Sequence, residues 1–277
     1  MNRLTTKLLL GIGLSLSIGT AHGFDLGQEL RNAASELQKP GKPAALGGYS
    51  EEEETAIGRQ IAGNLLGAAP LVKDKQLQKY VNNVGRWVAS QSERPDLAWH
   101  FGVIESNDIN AFAAPGGYIF VTRGLYRLLN DEAELAGVLA HEVGHVIRKH
   151  HLKILQQSKL VDLGGKLLSK QVGGNDKIGN LIGSGAEIVS RSLDKSAEFE
   201  ADRIAVVLAA RAGYDAYGLP GVLQEIGHSG SDDSSVALLF KTHPHPDERL
   251  ARLGNAMDSR FDGLKGLTLA GRLYKLK

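Results

Sequence analysis

The 277-residue chain carries His141-Glu142-Val143-Gly144-His145 inside an apolar run from Leu135 to Ile147, and this stretch constrains the fold most. Two histidines four apart on a helix lie about 40° apart in rotation and about 6 Å apart along the axis. Both imidazoles therefore reach a common ion from one face. Glu142 is turned about 100° from His141, which suits contact with a water on that ion better than a third bond to it. Leu135, Ala136, Val138, Leu139, Ala140, Val143, Val146 and Ile147 leave almost no polar face. A helix apolar nearly all round is buried, and a glutamate buried with two histidines needs a partner. A metal ion supplies one.

The spacing is that of the HExxH zinc-peptidase motif, whose sites use three protein ligands and one water. Downstream, Ser196-Ala197-Glu198-Phe199-Glu200-Ala201-Asp202 opens a second helix with Ala201, Ala205, Leu208 and Ala209 as its core stripe. Glu198 and Asp202 fall on that stripe, while Glu200 lies about 200° away and is expected to face solvent. Carboxylates on a buried stripe are costly unless paired or metal-bound. Glu198 is therefore the candidate third ligand. Asp202 suits the acceptor that fixes a ligand histidine's tautomer. His151, ten residues after His141, occupies the third-ligand position of the metzincin pattern, but Arg148 replaces the glycine that would turn the chain back. In a continued helix His151 would lie about 9 Å beyond His145 and outside the site.

The N-terminus reads as a cleaved signal peptide over residues 1–23. Arg3 and Lys7 precede an 11-residue apolar stretch, Leu8 to Ile18, and Ala21-His22-Gly23 offers small residues to a signal peptidase. Export to the periplasm follows as an expectation. No cysteine is present, which excludes disulfides and a lipidated cysteine. A net charge of +1 argues against nucleic acid as the main partner. No later stretch has 18 uninterrupted apolar residues, so no transmembrane helix is expected.

Residues 24–49, broken by Pro40, Pro43 and Gly47-Gly48, read as a linker or mobile arm. Ser50 with Glu53 forms a capping-box pattern, and Glu51 to Glu54 read as a solvated helix start. A second helix is expected from Asp74 to Gln91 with Leu77, Tyr80, Val81, Val84, Trp87 and Val88 on one face. Ala98 to Ile104 alternates as a strand, in which His100 is a pleat-face residue. The segment Asn110-Ala111-Phe112-Ala113 leads into Ala114-Pro115-Gly116-Gly117 and then Tyr118 to Thr122, a hairpin whose edge an extended peptide could join. Asn130 or Asp131 caps the HExxH helix, and Gly144 within it predicts close approach by another backbone. Leucine-rich residues 152–190, cut by glycines, read as short helical pieces covering or flanking the site and open to membrane-surface contact.

In combination, HEVGH, Glu198-xxx-Asp202 and NAFAAPGG resemble the gluzincin zinc metallopeptidases of the HtpX, BepA and CAAX prenyl endopeptidase-like family over roughly residues 50 to 255. The resemblance implies one zinc held by His141, His145 and Glu198, with Glu142 as catalytic base and Asp202 behind the ligands. It also implies an α+β, predominantly helical, zincin-like domain whose small sheet holds substrate extended along Asn110 to Ala113. Thr242-His243-Pro244, ahead of Arg249, matches a further family motif whose histidine approaches the metal, and His243 is expected either to stabilise the oxyanion or to latch the open position. Membrane-embedded members have spanning helices, which are not expected in this chain. Residues 256–277 read as a tail, too short for even one helical repeat of the kind some periplasmic members carry.

The expected function is a periplasmic zinc endopeptidase acting on unfolded or misassembled envelope proteins, outer-membrane proteins among them. The alternative is a zinc-stabilised chaperone or scaffold whose peptidase is latent.

Overall fold

A computed structural model describes residues 48–157, 193–228 and 234–276, which lie in one unit, Pro43–Lys277. The stretch read as a signal peptide, most of the stretch read as an arm, and the glycine-cut segment after residue 157 lie outside the described residues. The fold is α+β and predominantly helical. Among the described residues no helix is long and apolar enough to cross a membrane.

The first helix, α1 (Glu51–Ala68), starts where the capping box predicts. The Ser50 hydroxyl accepts from the Glu53 backbone, and the Glu53 carboxylate accepts from Ser50 N. Helix α2 (Lys75–Ala89) is capped by Asp74 and buries Leu77, Val81, Val84 and Val88. Trp87, expected on that stripe, is 53% exposed, and its indole donates to the Ala212 carbonyl. An amphipathic ring with one bonded end can sit at a domain edge.

Three short strands follow: β1 (His100–Ile104), β2 (Ala111–Ala114) and β3 (Tyr118–Thr122), in the order β1-β3-β2. The hairpin expected around Pro115-Gly116-Gly117 is present, with Phe112 opposite Phe120. Gly116 and Gly117 take φ of 75° and 92°, values that side chains with a Cβ rarely adopt. What the alternation did not reveal is that β1 pairs with β3 in parallel, His100 beside Tyr118. Strand β2 is thus one of the two edges. All four of its residues are buried, so it forms a wall and not an open rim.

Beyond the short helix α3 (Arg123–Leu128), Asp131 caps α4 (Glu132–Ile147), the helix of the HExxH motif. Residues from Glu132 through Val146 are buried with the exception of Glu134. Helix α4 packs against α2, against α5 (Lys195–Arg211) and against α6 (Gly218–Gly227). The close approach expected at Gly144 is to α5: a Cβ there would stand 3.2 Å from Ala201 Cα. The helices that carry His141, His145 and Glu198 meet at that glycine. Helices α7 (Ala237–Thr242) and α8 (Pro246–Met257) complete the domain, with Pro246 in the first turn of α8 and the His245 ring capping it.

Of residues 256–277, read as a tail, those described run back across the core. Tyr126 donates to the Tyr274 carbonyl, Arg272 pairs with buried Glu132, and Leu273 is buried.

The acid run at the start of α1 is not wholly solvated. Glu54 is fully buried and accepts from Arg94 and from Gly116 N, and its other oxygen lies 3.0 Å from Lys149 Nζ. Burial pushes this carboxyl up, but Arg94 and Lys149 hold it below its ordinary value. One side chain ties α1, the β2–β3 turn and the end of α4 together.

Candidate metal centre

His141 and His145 project from α4 with their Nε2 atoms 3.0 Å apart. Two imidazole nitrogens face each other at hydrogen-bond distance, and only one of them can hold a proton between them. Glu198, from the first turn of α5, brings Oε2 to 3.6 Å from His141 Nε2 and Oε1 to 3.6 Å from His145 Nε2. Its Oε1 is buried without a hydrogen-bond partner. Tetrahedral zinc with bonds near 2.1 Å separates its ligand atoms by about 3.4 Å, so these spacings suit such an ion. Ligand atoms of His141, His145, Glu198 and His243 all lie within 4.8 Å of one another. The donor set, the orphaned carboxylate oxygen and the facing nitrogens fit a bound zinc.

Each ligand candidate is held from behind. Asp202, one turn after Glu198 on α5, places Oδ1 2.9 Å from His141 Nδ1. This directs Nε2 at the metal position, as a carboxylate behind a ligand histidine does. Arg249, on α8, donates to both Asp202 oxygens at 2.6 and 3.0 Å. Burial would push Asp202 up, but the Arg249 charge and the His141 contact hold it well below the usual carboxylate range. Burial and Arg249 oppose a proton on His141, yet Asp202 and Glu198 outweigh them and carry it up to about 9. Burial, assisted by the His141 charge, drives His145 well down.

Glu142 is 3% exposed and lies on the wall of a cleft with about 280 Å³ of empty space. Ala111, Phe112 and Ala113 form one side of this cleft; His145, His151, Thr242 and His243 also line it. Burial raises the Glu142 carboxyl above its ordinary value, as suits a group that must take up a proton. A second, more apolar pocket of about 340 Å³ opens beside Glu142 and His141 toward Val138, Leu219, Leu223 and Leu239. Asn110, grouped in the sequence with the substrate strand, lines neither space. Its side chain turns back on the sheet, where Oδ1 accepts from Ala111 N.

His243, at the end of α7, sets Nδ1 2.6 Å from Glu198 Oε2. His151 requires a correction. Helix α4 does not continue: it ends at Ile147, and Lys149 takes φ 56° before helix resumes over residues 150–157. His151 is therefore not carried away but sits 5.9 Å, centroid to centroid, from the His145 ring. It stays outside the four-residue group. Burial takes it down to about 4. Glu200, expected to face solvent, is partly exposed but also pairs with Arg148 at 2.9 Å and approaches His150 at 3.3 Å. Arg249 and Glu54 had no local signature, because each acts across elements far apart in sequence, whereas His150 lies only five residues from His145 and meets it through the break at Lys149.

The profile of Peptidase family M48 matches residues 75–257. The chain belongs to peptidase family M48. Within it, the chain is 32% identical over 216 residues to the β-barrel assembly-enhancing protease of Yersinia pestis, covering 74% of this chain and 44% of that protein. Against the Escherichia coli K12 protein of the same name it is 31% identical over 213 residues, with 73% and 43% covered. The chain thus spans under half the length of these two relatives. Similarity to metalloprotease YcaL of Escherichia coli K12 is lower, 27% over 268 residues, but covers 92% of this chain and 98% of that protein. All elements that meet at the candidate metal centre lie inside the stretch matched by the M48 profile.

Proposed function

We propose that this M48 domain is a zinc-dependent endopeptidase of the cell envelope that cleaves extended or misassembled polypeptides, with His141, His145 and Glu198 as ligands. The observation that carries the reading is the convergence of three buried donors, one of them an unpartnered carboxylate oxygen, beside a buried Glu142 on a strand-walled cleft. Zinc, when bound, supplies a Lewis acid that polarises the scissile carbonyl and acidifies a water. Glu142 takes the proton of the attacking water and passes it to the leaving amine. Asp202 and Arg249 keep His141 in the tautomer that presents Nε2. The β2 wall aligns an extended backbone, and the neighbouring apolar pocket receives a large apolar side chain next to the scissile bond.

An envelope location and an outer-membrane protein substrate draw support from the names of the β-barrel assembly-enhancing relatives and from the signal-like N-terminus. The deciding experiment measures zinc content and cleavage of an unfolded polypeptide for wild type and Glu142→Gln. Loss of 10²- to 10⁴-fold in kcat with zinc retained is expected for a general base. A zinc-free wild type, or full activity in Glu142→Gln, would remove the reading.

A second reading, a latent peptidase acting as chaperone or scaffold, is favoured by one contact: His243 rests on Glu198 within the ligand group. His243→Ala is then expected to raise cleavage. If it changes neither activity nor zinc content, His243 has no latching role.

A further inference from the structure

The His141 side of the centre is backed by a carboxylate and an arginine. The His145 side has its own backing, of different chemistry. His145 Nδ1 stands 3.0 Å from His150 Nδ1, and both rings are buried. The far nitrogen of His150, Nε2, lies 3.3 Å from Glu200 Oε2, whose other oxygen is held by Arg148 Nε at 2.9 Å. One assignment of protons satisfies every atom. His145 keeps its proton on Nδ1 and donates to His150 Nδ1, while His150 keeps its own on Nε2 and donates to Glu200. In that state the lone pair of His145 Nε2 is directed at His141 Nε2 and Glu198, where the proposed metal lies.

We propose that His150, polarised by Glu200, is the positioning residue that fixes the tautomer and ring orientation of His145 for metal binding. The inference rests on the metal-centre reading above. It explains why α4 stops where it does. A continued helix would carry residue 150 away from His145 Nδ1; the left-handed Lys149 returns it there. Lys149 is itself anchored by its ion pair with buried Glu54. The support differs in kind from that of His141. Its immediate acceptor is a neutral imidazole, and the carboxylate stands one ring further out and is partly exposed.

The test is zinc affinity, read by competition with a chromophoric chelator, in wild type, His150→Leu, His150→Asn and Glu200→Gln. Thermal unfolding of each metal-free protein serves as the folding control. Loss of such a supporting partner typically weakens metal binding about 10- to 100-fold, and that loss is expected for His150→Leu, with a smaller loss for Glu200→Gln. His150→Asn sets an amide oxygen near the former Nδ1 and is expected to recover most of the affinity. Wild-type affinity in Glu200→Gln, or equal weakness in the Asn and Leu variants, overturns the relay. Should His150→Leu fail to fold, the other two variants decide the matter. A wild type that binds no zinc would instead bring down the metal-centre reading itself.

Discussion

Individual side chains at this centre matter by what stands behind them. Arg249 is the sharpest case, a 4% exposed cation whose main partner is the equally buried Asp202. Removing one member of such a pair leaves an uncompensated charge and costs about 3–5 kcal/mol. Arg249→Met is therefore expected to lower unfolding free energy by about that amount in denaturant titrations, besides weakening zinc binding. Asp202→Asn should cost a comparable amount, because it keeps the shape but leaves the buried Arg249 cation without its counter-charge. Equal stability of Arg249→Met and wild type would show the pair to be dispensable.

At the scale of elements, the centre exists because two helices cross closely and one of them stops on time. Gly144 admits the α5 backbone, which brings Glu198 and Asp202 opposite the two histidines of α4. Glu54 holds α1, the β2–β3 turn and Lys149 in register. Its folded carboxyl lies below the ordinary value of 4.5. Its stabilising effect is thus present above that value and is lost as pH falls through the lowered folded one. Glu54→Gln is expected to cost about 2 kcal/mol at neutral pH, as for charged hydrogen bonds with partly exposed partners. The difference from wild type should shrink in acid, which stability measurements between pH 7 and pH 3 would reveal. A constant difference across that range would assign Glu54 a packing role only.

For the molecule as a whole, the proposed zinc joins α4 to α5, and no disulfide does so, because the chain has no cysteine. Ligand binding to the folded state alone adds about 4 kcal/mol at a thousandfold excess over Kd, and a domain of this size shifts by about 2–4 °C per kcal/mol. Chelation is expected to lower Tm by roughly 10 °C in scanning calorimetry, with Glu142→Gln showing the same drop. A chelator-insensitive Tm would show that the core alone carries stability.

The histidine pair, Glu142, the buried Glu198-Asp202 stripe and the Pro-Gly-Gly hairpin were legible in the chain because each rests on a local period: 3.6 residues for a helix face, two for a strand. Those periods place side chains on faces, and burial then demands partners for the polar ones. They do not say which elements meet. The parallel pairing of β1 with β3, the exposure of Trp87, the burial of Glu54 and the docking of Arg249 on Asp202 depend on contacts across long sequence separations, and the return of His150 and His151 to His145 depends on the backbone break at Lys149. The stop at Lys149 is the clearest instance. Arg148 and Lys149 are good helix formers, so propensity extends the helix, and a tertiary ion pair with Glu54 accompanies its end. The metal chemistry was written in the local order of residues, whereas what holds each ligand in place was decided by packing.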